Sequence, residues 1–237
     1  MVIGQAPTQP ITGEESPGVV SRPSAGAKYA TEAIGTFFLV FTVGAAVGTG
    51  SRLAPLAIGA VLTAMVYGGG HISGGHYNPA VTLAVLVRRR IAMGDAFMYW
   101  IVQFGAGLLA AAVVSGIVDP AQAATTVTMP LTGHALVAAF AAELLFTFAL
   151  CYVVLTVATS RSHPDNSYFG LAIGFTVLAG AIAVGAISGG AFNPSVTLGA
   201  ALMGMFAWPT LWVYLVAQVI AGAAAGVTFL VLNPDDK

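Results

Sequence analysis

The chain has 237 residues, of which 57 % are hydrophobic and only 7 % charged, with a formal net charge of −1. A soluble domain of that length must cover its outside with polar groups, so the composition excludes one and makes lipid the main solvent. The near-neutral balance leaves no electrostatic footprint for nucleic acid, and the single cysteine, Cys151 in an apolar run, excludes a disulfide framework or thiolate metal cluster within the chain.

Residues 1–27 place Pro7, Pro10, Pro17 and Pro23 among small polar residues, without the apolar centre of a secretory signal, and read as a disordered tail. Six apolar stretches then follow at roughly the 20 residues needed to cross a bilayer. They run over Tyr29–Gly48, Ala54–Gly70, Ala96–Val118, His134–Val157, Phe169–Ile187 and Trp208–Leu232. The membrane domain is therefore expected over 28–232, as halves of about 28–118 and 134–232, with 233–237 a short C-terminal tail.

Between the spans one phrase is written twice. Ile72-Ser73-Gly74-Gly75-His76-Tyr77-Asn78-Pro79-Ala80-Val81-Thr82-Leu83 returns, 115 positions on, as Ile187-Ser188-Gly189-Gly190-Ala191-Phe192-Asn193-Pro194-Ser195-Val196-Thr197-Leu198. The same shift carries Tyr99, Gln103 and Gly107 onto Tyr214, Gln218 and Gly222. The chain is a duplicated half. Three spans per half is an odd number, so the copies insert in opposite senses about a pseudo-two-fold axis in the membrane plane. With both termini in the cytoplasm, Arg22, Lys28, Arg88, Arg89, Arg90, Arg161 and Lys237 lie inside and only Arg52 outside, which satisfies the positive-inside rule.

Each repeated phrase leads into a segment, Asn78–Val87 or Asn193–Met203, that is apolar yet too short to cross. Asn is a favoured N-cap and Pro a favoured first helical residue, so each reads as a re-entrant half-helix. Upstream, Ser-Gly-Gly favours irregular backbone, which at membrane depth must be buried in protein or line a water-filled cavity. Pore-lining backbone is accordingly expected from Gly74, Gly75, His76 and Tyr77 and from Ser188, Gly189 and Ala191. At 1.5 Å per residue, two half-helices laid end to end approach the roughly 30 Å hydrocarbon thickness. Their N-termini then meet near the middle, where two positive dipole ends and two Asn amides repel cations and donate hydrogen bonds to a neutral passing molecule.

The duplicated three-span halves, the paired boxes Asn78-Pro79-Ala80 and Asn193-Pro194-Ser195, and an acid in the first span of each half make the chain resemble the major intrinsic protein family of aquaporins and glycerol channels. The resemblance covers residues from about 28 to 232. It implies an all-α fold of six transmembrane helices and two half-helices, and a homotetramer with one pore per protomer. It further implies passage of water or small neutral solutes, exclusion of protons, and no cofactor.

Glu32 and Glu143 lie in spans one and four. A charge at a helix centre costs about 2.5–3.5 kcal/mol on insertion scales, so both must face protein or water. Holding the N–H groups of the irregular loops is preferred to proton coupling, partly because the family uses these positions that way. His71 matches a pore-lining histidine of the family near the cytoplasmic mouth, whereas at His76 the carbonyl rather than the ring is expected to matter. Two histidines five apart without a third ligand are a poor metal site. His134 and His163 at span ends, with Tyr99, Trp100, Trp208 and Trp212, read as interfacial.

Water-selective relatives narrow the pore with an aromatic, a histidine, a small residue and an arginine. The corresponding positions here are Ile58, Ala181, Gly190 and Val196, all apolar. Without the arginine's charge and fork of donors, a wider and greasier filter is implied, open to ammonia, glycerol, urea or dissolved gases. Two other classes remain: an alternating-access transporter, since inverted repeats with broken helices describe those too, and a closed membrane protein with a structural role. No catalytic constellation supports an enzyme.

Overall fold

In a computed structural model of the chain, residues 23–118 and 130–236 are described. Most of the expected N-terminal tail lies outside them. Its boundary at residue 27 is too late, because Ser24 Oγ accepts the Ala27 N–H at 3.2 Å and starts a helix at Ala25.

The helices are α1 (Ala25–Gly48), α2 (Ala54–Ser73), α3 (Pro79–Val87), α4 (Met93–Val113), α5 (Gly133–Thr159), α6 (Phe169–Ser188), α7 (Pro194–Leu202) and α8 (Leu211–Leu232). A π-helical turn extends α4 to Val118, and a short 3-10 turn, Trp208–Thr210, precedes α8. Six of these helical stretches are long and apolar enough to cross a membrane among the described residues. Lipid offers no partner for backbone N–H and C=O groups, so the helix, which satisfies them internally, is the only open-ended solution.

The two halves interlock through their short helices. α3 packs against α8 of the other half and α7 against α4. Glycines on the long helices seat these stubs: a Cβ on Gly222 would stand 2.5 Å from the Ala80 carbonyl oxygen, and one on Gly107 3.1 Å from that of Ser195. The small residues of spans three and six thus make room for half-helices rather than for other spans.

At its far end α3 is anchored by a side chain that a charge count would place in solvent. Arg88 is fully buried, its guanidinium 4.3 Å from the Phe229 ring centre and 2.7 Å from an Asp236 oxygen. Asp236 also accepts from Arg90 at 3.1 Å, the Arg161 N–H at 2.8 Å and Ser160 Oγ at 3.1 Å. Burial pushes the Asp236 carboxyl up, but the Arg161 N–H, the Arg88 guanidinium and Ser160 outweigh it and hold the group at about 2. An unfolded Asp titrates near 3.9. The clamp's stabilisation is therefore complete above about pH 4 and is lost as the pH falls towards 2. Asp236→Asn leaves Arg88 without its counter-charge and is expected to cost on the order of 3 kcal/mol at neutral pH. Thermal unfolding in detergent checks this, and the acid-induced fall in Tm of the parent chain over that window should be absent from the variant.

Candidate functional site: where the two half-helices meet

Both repeated phrases fold as backbone images of each other. Gly74 and Gly189 end α2 and α6 in the left-handed conformation at φ 91° and 89°, the helix-stop geometry that glycine adopts at no steric cost. Tyr77 and Phe192, which are not glycine, also sit at positive φ, 49° and 48°. Such backbone costs roughly 1–3 kcal/mol and persists only where its surroundings over-determine it.

Here the surroundings are the two buried glutamates. Glu32 accepts from Ser73 Oγ at 2.7 Å, the His76 N–H at 2.9 Å, the Tyr77 N–H at 2.7 Å and Gln103 Nε2 at 2.9 Å. Glu143 repeats the pattern with Ser188 Oγ at 2.7 Å, the Ala191 N–H at 3.0 Å, the Phe192 N–H at 2.8 Å and Gln218 Nε2 at 2.9 Å. Four donors meet roughly four acceptor positions on each carboxyl group. Neither glutamate faces a lipid surface; both are fully buried, with their acceptors turned to the loops.

Held in this way, the loops deliver the two asparagines to each other. Asn78 Oδ1 caps α3 by accepting the Ala80 N–H at 2.8 Å, and Asn193 Oδ1 caps α7 by accepting the Ser195 N–H at 2.9 Å. Their amide nitrogens cross over: Asn78 Nδ2 donates to the Phe192 carbonyl and Asn193 Nδ2 to the Tyr77 carbonyl, each at 2.9 Å. Each NH2 group retains one further hydrogen. Both asparagines line a narrow cavity of about 30 Å³. That exceeds the roughly 10–15 Å³ a water requires.

Aliphatic side chains make most of the cavity wall. Ile58, Gly190 and Val196 belong to it; Ala181 stands behind Gly190, whose Cβ, were there one, would lie 3.3 Å from the Ala181 Cα. Leu39 and Val43 of α1 line the same space as Leu150 and Val154 of α5.

Several expected roles shift. The His76 ring, not only its backbone, enters the cavity wall, with Nδ1 3.0 Å from Thr82 Oγ1 and an edge-on contact to Tyr99. His71, expected near the cytoplasmic mouth, is exposed and lines a wide recess with Arg90, Arg161 and His163. Of the expected pore-lining backbone, Ala191 lines the cavity and Gly74 lines the recesses beyond it. The Tyr77 and Ser188 carbonyls are taken, by Asn193 and by the Tyr214 hydroxyl at 2.8 Å. A Cβ on Gly189 would meet Phe206 instead, and Gly75 is buried beside Val66 and Gly70. Tyr99 is not interfacial: it is buried, and its hydroxyl donates to the Ser73 carbonyl at 2.6 Å. The support residues Gln103, Gln218, Tyr99 and Tyr214 had a visible signal, since the repeat pairs them, but no chemistry of their own pointed to a role.

Six spans around two capped half-helices that meet tip to tip in a narrow aliphatic cavity define a polytopic membrane channel rather than an enzyme. Residues 19–229 match the profile of the Major intrinsic protein family, and the chain belongs to that family. It is accordingly a channel for small neutral solutes of the water and glycerol type. It is 36 % identical over 218 residues to aquaporin NIP2-1 of Oryza sativa subsp. japonica, covering 88 % of this chain and 71 % of that one. It is 37 % identical over 217 residues to glycerol uptake facilitator protein-like 6 of Lactiplantibacillus plantarum, covering 88 % of this chain and 99 % of the relative. The aquaglyceroporin of Plasmodium falciparum superposes with a TM-score of 0.72 over 87 % of this chain and 96 % of its own, at 22 % identity, a likeness of fold.

Proposed function

We propose that this channel passes small uncharged solutes passively, molecules larger than water among them, through a filter formed by Ile58, Ala181, Gly190 and Val196. One observation carries the reading: no side chain at these four positions bears a charge or a hydrogen-bonding group. Three of them belong to the wall of the cavity that both asparagines also line. A permeant there is sorted by size and by the cost of shedding water, not by a guanidinium fork. Asn78 and Asn193 then offer it hydrogen bonds. The opposed N-termini of α3 and α7, with Pro79, Ala80, Pro194 and Ser195 in their first turns, raise the potential against protons and other cations.

The name of the L. plantarum relative, a glycerol uptake facilitator-like protein, fits a glycerol-sized permeant; ammonia, urea and dissolved gases share the necessary lack of charge. We infer that both chain ends lie in the cytoplasm and the protein in the cell membrane; the gathering of Arg88, Arg90 and Arg161 about Asp236, apart from Arg52, supports this reading. Assembly as a homotetramer with one pore per protomer follows the family resemblance.

Stopped-flow swelling of proteoliposomes with water, glycerol, urea and ammonia tests the reading. Glycerol or urea flux well above protein-free liposomes is expected, with no proton leak reported by an internal pH dye. High water permeability with every larger solute excluded overturns it.

A further inference from the structure

We propose that the passage contains a second selectivity ring, the two-fold image of the first, in which Ile173 and Val81 do at the Arg88 end what Ile58 and Val196 do at the Arg52 end. This deepens the proposed function and rests on its reading of the first ring.

The symmetry shows in the backbone geometry as well as in the repeated sequence. Asn78 and Asn193 have φ of −157° and −156° and ψ of 120° and 119°. Gly75 and Gly190, images of each other in the two loops, have φ of 64° and 66°, and of the two Gly190 lines the cavity. The four hydrogen bonds of Glu32 and the four of Glu143 agree in length to within 0.1 Å. A filter residue on one side therefore has an image at the same depth on the other.

The image residues are also of the same kind. Ile58 of α2 maps onto Ile173 of α6, and Val196 of α7 onto Val81 of α3. All four line the cavity that holds both asparagines. A solute that must squeeze past Ile58 and Val196 must squeeze past an equal pair after the asparagines. The images are not all identical: Val66 answers Ala181 and Leu62 answers Val177, all apolar, whereas His76 occupies the position whose image is Ala191. His76 borders both the cavity and the wide recess at the Arg88 end, so the second ring carries a polar group that the first lacks.

Two equal barriers in series give a distinctive response, because relieving one alone raises flux at most about twofold while relieving both raises it without that ceiling. The test measures glycerol and water fluxes for the full-length chain and for Ile58→Ala, Ile173→Ala and the double variant in proteoliposomes. Each single variant is expected to raise glycerol flux by no more than about twofold, and the double variant by about fivefold or more. Ile58→Phe and Ile173→Phe are each expected to cut glycerol flux about tenfold while water still passes. Should an alanine variant not elute as the parent does, the valine variant at that position is read the same way.

A several-fold rise from Ile58→Ala alone, with no response to any change at Ile173, overturns the second ring and leaves the first standing. No response to any change at Ile58 or Val196 overturns the reading of the first ring itself. A response confined to Ile173 also overturns the proposal, since the rings are then not equivalent.

Discussion

Glu32→Gln is expected to lose most of its folded, monodisperse yield, and its image Glu143→Gln should do the same. The substitution is nearly isosteric, yet it replaces one acceptor oxygen by a donor. Glu32 Oε1 receives Ser73 and the His76 N–H, and Oε2 receives the Tyr77 N–H and Gln103. Whichever way the amide is turned, two donors confront an NH2 group. At about 1–3 kcal/mol for each buried donor left unmet, the loss is of order 2–6 kcal/mol. Tyr77 then keeps its unfavourable backbone without the contact that stabilises it, and the Asn193-to-Tyr77 bond that joins the halves loses its fixed partner. Fluorescence-detected size exclusion and a thermal ramp measure the loss. Where residual protein folds, glycerol flux should fall and no solute should accumulate against a gradient. A well-folded Glu32→Gln channel that abolishes proton-driven accumulation seen in the parent would instead make these carboxylates coupling groups.

Much of this architecture can be read before any coordinates, for reasons peculiar to lipid. A span must supply its own backbone partners and its own apolar face over a fixed length, so Ala54 and Phe169 mark helix starts that the structure keeps to the residue. The half-helix starts are equally legible, because Asn-Pro is both a cap and a first turn. What escapes is the identity of neighbours at close range. His71 and His76 differ by five positions and by no local chemistry. Only the left-handed turn at Gly74 folds the second ring back against Tyr99 and Thr82. Tyr99 lies near a span end, where an aromatic ordinarily anchors to headgroups, but here a re-entrant loop fills that depth and takes its hydroxyl. Arg88 counts as one more cytoplasmic charge until Asp236, 148 positions away, returns to neutralise it.

Val196→Arg is expected to reduce glycerol flux at least tenfold while reducing water flux no more than about threefold, the two effects of a guanidinium being narrowing and a fork of donors. Val196 is buried, at 4 % exposure, in the wall of a cavity of about 30 Å³, so the added side chain must project along the passage towards the Arg52 end. The nearby carboxylates cannot neutralise it, since Glu32 and Glu143 are each occupied by four donors. The charge therefore stands in the conduit, and its donors must be satisfied by water or by whatever passes. Water meets that demand in single file, whereas a glycerol-sized molecule loses the width it needs. Val196→Phe, comparable in bulk but without charge or donors, separates the causes: a fall in glycerol flux with Arg and not with Phe assigns selectivity to charge and hydrogen bonding, and an equal fall with both assigns it to width. Unchanged glycerol flux with a well-folded Val196→Arg channel would remove Val196 from the narrow part of the path, and with it the reason for treating the apolar quartet as the filter.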